Sequence, residues 1–169
     1  AVVSVTGASF GQHNFKKLNT AFMYALKIGV TIEVLIAIAT FLFAPQIAAI
    51  FTRSEGTARI ADDLIIFLKM VSLFYPTTAF GMFSSAMFQG TGKGVNALII
   101  TIIRTIVLTP LFALVFAFTL NMGLPGVWFG IVVGNTTGAA VAFLWAKAYI
   151  RNLMSEEKMS STLVVEAKK

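Results

Sequence analysis

The sequence predicts an all-α membrane protein with four transmembrane helices, and three observations carry that prediction. Hydrophobic residues make up 57% of the chain and charged residues 12%, with a mean hydropathy of +0.86. A soluble domain carries roughly 25% charged residues, so this chain has too little polar surface to cover a globule in water. The apolar residues fall in four long, nearly charge-free runs. Those runs are too long for barrel strands and show no period-two alternation. Roughly 20 helical residues cross a hydrocarbon core of about 30 Å, and a helix satisfies its own backbone polar groups, as lipid demands.

Residues 1–21 read as the cytoplasmic end of a preceding helix plus a loop. The first span covers about 22–51, where Glu33 is the only charge between Lys27 and Arg53. A polar loop follows over 53–63. The second span covers about 64–88 and carries Lys69 alone. Gly90-Thr91-Gly92-Lys93-Gly94 is a tight glycine-rich turn leading to the third span, about 95–120, with Arg104 inside it. Turn chemistry around Asn121, Gly123, Pro125 and Gly126 precedes the fourth span, about 127–149. The transmembrane region is thus 22–151, and 152–169 is a polar cytoplasmic tail, expected to be mobile.

Orientation follows from the basic residues near the span ends. Lys16, Lys17, Lys27, Lys93, Lys147, Arg151 and Lys158 fall on one side, Arg53 and Arg59 on the other. The first side is therefore expected to be cytoplasmic, with both termini there and the chain a multi-pass protein of the cell membrane. The chain starts at Ala1 with no leader pattern, which reads as part of a longer protein.

Several classes are excluded. The net charge of +6 is scattered over span ends and forms no basic face, so no nucleic-acid partner is expected. Without cysteine there is no disulfide or thiolate site. His13 is the only histidine and has no triad or metal partners nearby in the sequence, so no metal is expected. The Gly90–Gly94 turn lacks the first glycine and the Ser or Thr of a phosphate loop. No enzyme constellation is present.

The candidate functional residues lie inside the spans, where an ionisable group costs about 2.5–3.5 kcal/mol on insertion scales and marks function by default. Glu33 and Arg104 each lie roughly 12–15 Å from the cytoplasmic end of their helix at a rise of 1.5 Å per residue. Equal depth and opposite sign suggest a buried pair holding two helices together; the alternative makes Glu33 a proton or cation relay. Lys69 either snorkels to the outer surface or lines a water-filled cavity. Pro76 and Pro110 each remove a backbone donor in mid-span, as a hinge or as a fixed kink. Thr77, Thr78 and Thr109 offer hydroxyls to the freed backbone. Gly126, Gly130, Gly134 and Gly138 recur every fourth residue, continued by Ala142 and Ala146. That stripe without bulk lets another helix approach backbone to backbone.

Four motifs in order resemble the multidrug and toxic compound extrusion (MATE) family. Val5-Thr6-Gly7-Ala8-Ser9-Phe10-Gly11, through Lys17 and Leu18, resembles the glycine-rich loop between that family's eighth and ninth helices. Met87-Phe88-Gln89-Gly90-Thr91-Gly92-Lys93 resembles the turn after the tenth. Arg104 with Pro110-Leu111 is similar to the eleventh, and Gly123-Leu124-Pro125-Gly126-Val127-Trp128 to the start of the twelfth.

The resemblance covers roughly residues 1–151 and implies a twelve-helix, two-lobed transporter of which this chain is the last third. The lobe missing from the chain would be its partner, alongside membrane lipid and a small-molecule substrate. It further implies an antiporter that exports drugs or other amphiphilic and cationic compounds. Such a machine needs no cofactor beyond the transported coupling ion, sodium or proton. Some members carry an aspartate in the tenth helix; here Lys69 is the only charge after Asp63 in that span, which weighs against a cation site in this lobe. The alternatives are a related flippase for lipid-linked saccharides and a non-transporting membrane subunit.

Overall fold

The computed structural model describes residues 1–53 and 55–166, the side chains of 55, 56 and 160–166 excepted; Ser54, within the expected polar loop, and 167–169, at the end of the tail, lie outside the described residues. Among these residues every regular element is a helix, with no strand.

Helix α1 (Val2–Gly11) turns into α2 (Phe15–Leu42) through His13, whose φ of 51° reverses the chain. The Asn14 side chain then accepts from Lys17 N at 2.9 Å, which satisfies one of the free N–H groups at the start of α2. The span expected at 22–51 differs in two ways. It begins seven residues earlier in the chain, at Phe15, and it stops at Leu42. Pro45 occupies the first turn of a separate helix, α3 (Ala44–Phe51), the one helical position where its missing N–H costs nothing. The short α4 (Glu55–Ala58) follows.

The second span is a bent pair: α5 (Ala61–Ser72) and α6 (Tyr75–Gly90) meet at 53°. Asp62 and Asp63 lie in the first turn of α5, where the helix dipole favours negative charge. Pro76 sits in the first turn of α6, just after the break. Gly92, at φ 74°, closes the turn into the third span.

That span is one apolar helix over Gly94–Thr119. It consists of α7 (Gly94–Ile102), a wide π-helical stretch Ile103–Leu108, α8 (Thr109–Leu114) and a second π stretch Val115–Thr119. Asn121 and Gly123, at φ 52° and 61°, make the last reversal. The fourth span is the front of a single 44-residue helix, α9 (Gly123–Glu166). The tail expected to be mobile is thus helical as far as Glu166.

Among the described residues, three helices are long and apolar enough to cross a membrane, four with the bent pair as one span. Within the most apolar window, in Gly94–Thr119, only 6% of residues are buried. Val95, Ile106 and Phe118 point outward. An apolar exterior over an apolar interior fits a hydrocarbon solvent. Leu18, Phe22 and Leu26 of α2 meet Met87 and Phe88 of α6, Ala97 and Ile100 of α7, and Ala142, Ala146 and Ile150 of α9 in one core. The bent α6 is the hub, packed against α1, α2, α7 and α9.

Candidate functional site

The site is a polar seam where α6, the π–α8 segment and α9 meet. The glycine stripe of α9 builds it. A methyl group on Gly126 would fall 2.7 Å from Phe116 O, and one on Gly134 would fall 2.7 Å from Thr109 Cα. On Gly130 it would strike the backbone of Ala113, and on Gly138 it would sit 2.6 Å from Arg104 Cγ. The stripe therefore docks in antiparallel register on the third span, with Gly126, Gly130 and Gly134 backbone to backbone and Gly138 against the base of the Arg104 side chain. The stripe was legible in the sequence; its partner is now identified.

Close approach brings the polar groups together. Asn135 Nδ2 donates to Thr109 Oγ1 at 3.4 Å and to Ile131 O at 2.9 Å. The Thr109 hydroxyl in turn donates to Arg104 O at 2.8 Å, five residues back. The Thr109 N–H bonds the same carbonyl, which is the wide turn of a π-helix. Pro110 is thus absorbed within a continuous helix, and Thr109 covers the backbone beside it. Across the seam, Thr77 Oγ1 of α6 lies 3.5 Å from Thr136 Oγ1 of α9. Thr77 also donates to Phe74 O at 2.6 Å, and Thr78 reaches the same carbonyl at 3.5 Å. Both threonines therefore serve the Pro76 break, as their position in the sequence suggested.

Arg104 enters the seam between two glycines. A Cβ on Gly81 would collide with its Nη1, and one on Gly138 with its aliphatic stem. Its Nε is fully buried without a hydrogen-bond partner, and among the described residues its guanidinium makes no hydrogen bond or ion pair. Five N–H donors are thus held about 15 Å along the helix from Gly94 with no acceptor among the described residues.

The expected Glu33–Arg104 pair is not formed. Helix α2 packs on α1, α5, α6 and α9, whereas the Arg104 stretch packs on α9. Equal depth does not join two residues whose stretches of helix are not packed on each other. Glu33 is half-buried on α2 without an ion pair among the described residues. Lys69 is half-buried too, its ammonium 5.6 Å from the ring centre of Phe41 on α2. A cation over an aromatic face is favourable, and neither Asp62 nor Asp63 bonds Lys69.

Two features escaped the sequence reading. Gly81 has no periodic companion on α6 to flag it. Lys147, counted only for orientation, donates to Asn19 Oδ1 at 3.3 Å and approaches Met23 Sδ at 3.8 Å, linking α9 to α2. No group of three or more His, Cys, Asp or Glu among the described residues is placed to hold a metal.

These features define a polytopic α-helical membrane protein with a polar seam and an uncompensated cation inside its spans. The profile of the MatE family matches residues 1–115, and the chain belongs to that family. It is similar to a multidrug resistance MATE family transporter of the MOP superfamily in its inward-facing conformation, with 47% identity and a TM-score of 0.89 over 91% of this chain and 35% of that one. For an outward-facing conformation of such a transporter the values are 47%, 0.87, 91% and 34%. A MOP superfamily transporter from Pyrococcus furiosus Vc1 (DSM3638), described as having a binding pocket of reverse polarity that suggests a different function, gives 47% identity and 0.88 over 90% and 34%. The chain spans about a third of the length of these transporters. No functionally curated protein matches it.

Proposed function

We propose that this chain forms part of the second lobe of a secondary active transporter that exports amphiphilic compounds, cationic drugs among them, in exchange for sodium or protons. The work is alternating access, with no bond made or broken. The observation that carries this reading is sustained similarity: 47% identity over 91% of the chain to a multidrug resistance transporter, with a nearly equal fit to inward-facing and outward-facing forms. In this reading the seam around Pro76, Thr77, Thr78 and Arg104 borders the substrate path. Glu33, without an ion pair among the described residues, is the lobe's candidate for relaying the coupling ion. Both ends of the chain lie in the cytoplasm, and the other lobe covers part of the exposed apolar surface.

The test uses the whole transporter in proteoliposomes. Export of a fluorescent amphiphilic cation is followed under an imposed sodium gradient and, separately, a proton gradient. One gradient is expected to drive export, and Glu33→Gln is expected to abolish that response while dye still binds. Export that ignores both gradients would refute the antiporter; unchanged coupling in Glu33→Gln would remove Glu33 from the relay.

One observation favours a second reading, a flippase for anionic lipid-linked saccharides. Arg104 holds a full set of donors with no acceptor among the described residues, which suits a phosphate better than a cation. Movement of such a lipid across the same vesicles, without dye export, would mark it.

A further inference from the structure

The basic residues that set the orientation include two that the transport reading does not use. Lys147 and Arg151 are four residues apart on α9, hence on one face, and both line a cleft of about 380 Å³ between α9 and the first turns of α2. Asn19 forms the wall on α2; none of the lining side chains is acidic. Among the described residues, Lys147 bonds only Asn19 Oδ1 and Met23 Sδ, and Arg151 has no bonded partner. The Asn19 Nδ2 donors are likewise unused. The cleft therefore presents an ammonium, a guanidinium and an amide, and no anion.

Its position is as informative as its charge. Asn19 is four residues into α2, about 6 Å from the helix start at Phe15. The cleft thus opens at the end of a membrane span, at headgroup level. From there the wall turns apolar: Leu144, 65% exposed, and Val141, 43% exposed, continue the α9 face toward the membrane interior. A polar mouth with two cations above an exposed apolar wall matches an amphiphile with an anionic head and an acyl tail.

We propose that this α2–α9 cleft is a binding site for an anionic phospholipid, with Lys147 and Arg151 flanking the phosphate, Asn19 Nδ2 donating to it, and an acyl chain lying along Leu144 and Val141. A cation near a membrane surface strengthens binding of anionic lipid about fivefold. The two together are worth about thirtyfold, and more where the phosphate is enclosed. This site is separate from the Arg104 seam and stands whether or not the protein exports drugs.

The test uses the whole transporter, purified in detergent and exchanged into nanodiscs of phosphatidylcholine with or without phosphatidylglycerol, with lipid retention read by native mass spectrometry. Wild-type protein should retain phosphatidylglycerol in preference to phosphatidylcholine. Lys147→Gln/Arg151→Gln should weaken retention about thirtyfold, and Arg151→Gln alone, a change at an exposed side chain, about fivefold. Lys93→Gln, a change at an exposed side chain away from the cleft, should leave it unchanged. Equal retention of the two lipids, or variants that retain phosphatidylglycerol like wild type, overturns the proposal. Displacement of the lipid by millimolar inorganic phosphate overturns it as well, because the site would then take a free anion. If the double variant does not fold, the Arg151→Gln arm decides alone.

Discussion

Gly134→Ala puts one methyl group where α9 meets the third span. Its Cβ would lie 2.7 Å from Thr109 Cα and 3.0 Å from both Leu108 O and Thr109 N, against an ordinary contact of 3.4 Å or more. The two helices must therefore part by about 0.7 Å (3.4 − 2.7) at this level. No side chain can swing aside, because all three neighbours are backbone. Gly126, Gly130 and Gly138 hold the same pair of helices at comparable distances, so the separation strains the whole seam. Overpacking of this kind costs about 1–3 kcal/mol, and the upper end applies where backbone must move. Alanine recovers about 1 kcal/mol as the better helix former. The net loss is about 2 kcal/mol, or a Tm lower by about 4–8 °C for a unit of this size. Thermal unfolding in detergent, followed by size-exclusion fluorescence, reads it. Gly94→Ala is the control, since a methyl group there meets nothing within 4 Å, and it should melt with or slightly above the parent. Gly134→Leu should fail to accumulate as folded protein. A Gly134→Ala protein that melts with the parent would refute the docking of α9 on this backbone.

Two further outcomes follow from the Arg104 slot. Gly81→Ala should push the Arg104 guanidinium aside, because its Cβ collides with Nη1, the end of a flexible side chain, so any fall in Tm should be small and should vanish in an Arg104→Ala background; equal penalties in both backgrounds, read as a double-mutant cycle in Tm, would show that Gly81 is not there for Arg104. Pro110→Ala should restore a regular turn in place of the π stretch and rotate Arg104 by about 100°, one residue's worth of helix. Transport should then fall in the wild-type background with little change in Tm, and should not fall further in Arg104→Ala; a further fall would assign Pro110 a role as a hinge.

What the sequence made legible follows from what a membrane demands. Long apolar runs are obligatory for spanning helices, so all four runs could be read directly, and Pro76 and the Gly126–Gly138 stripe carry their geometry in their own chemistry. Contacts between helices are a different matter. Glu33 and Arg104 match in depth and sign, yet which faces meet depends on helix order around the bundle, and depth along a chain holds no information about that order. Gly81 is silent for the same reason: a single glycine acquires meaning only through the arginine that fills the space beside it. The end of α9 shows another limit. Residues such as Glu156, Glu157 and Lys158 are polar but are also good helix formers, so composition there reports solvation and says little about order. Pro45 broke the first span because proline fits the first turn of a helix and not its interior.

The same contacts bear on how the unit moves. A seam in which Gly126, Gly130 and Gly134 meet backbone, and Gly138 the base of the Arg104 side chain, leaves little to repack, so sliding α9 along the third span would require the helices to separate first. The bend at Pro76 is held by Thr77 and Thr78 on the Phe74 carbonyl and by the Thr77–Thr136 contact to α9. The π stretch before Pro110 is held by Thr109 and, through it, by Asn135. Each irregular element is thus tied to a neighbouring turn or helix, which argues for fixed bends that place side chains. Similarity to both inward-facing and outward-facing relatives fits a unit that keeps its internal arrangement while its surroundings change. The conformational work of transport would then fall at the outer surface of this unit, where Phe41, Phe43 and Phe118 stand exposed, and Arg104 would be carried through the cycle as a fixed charge.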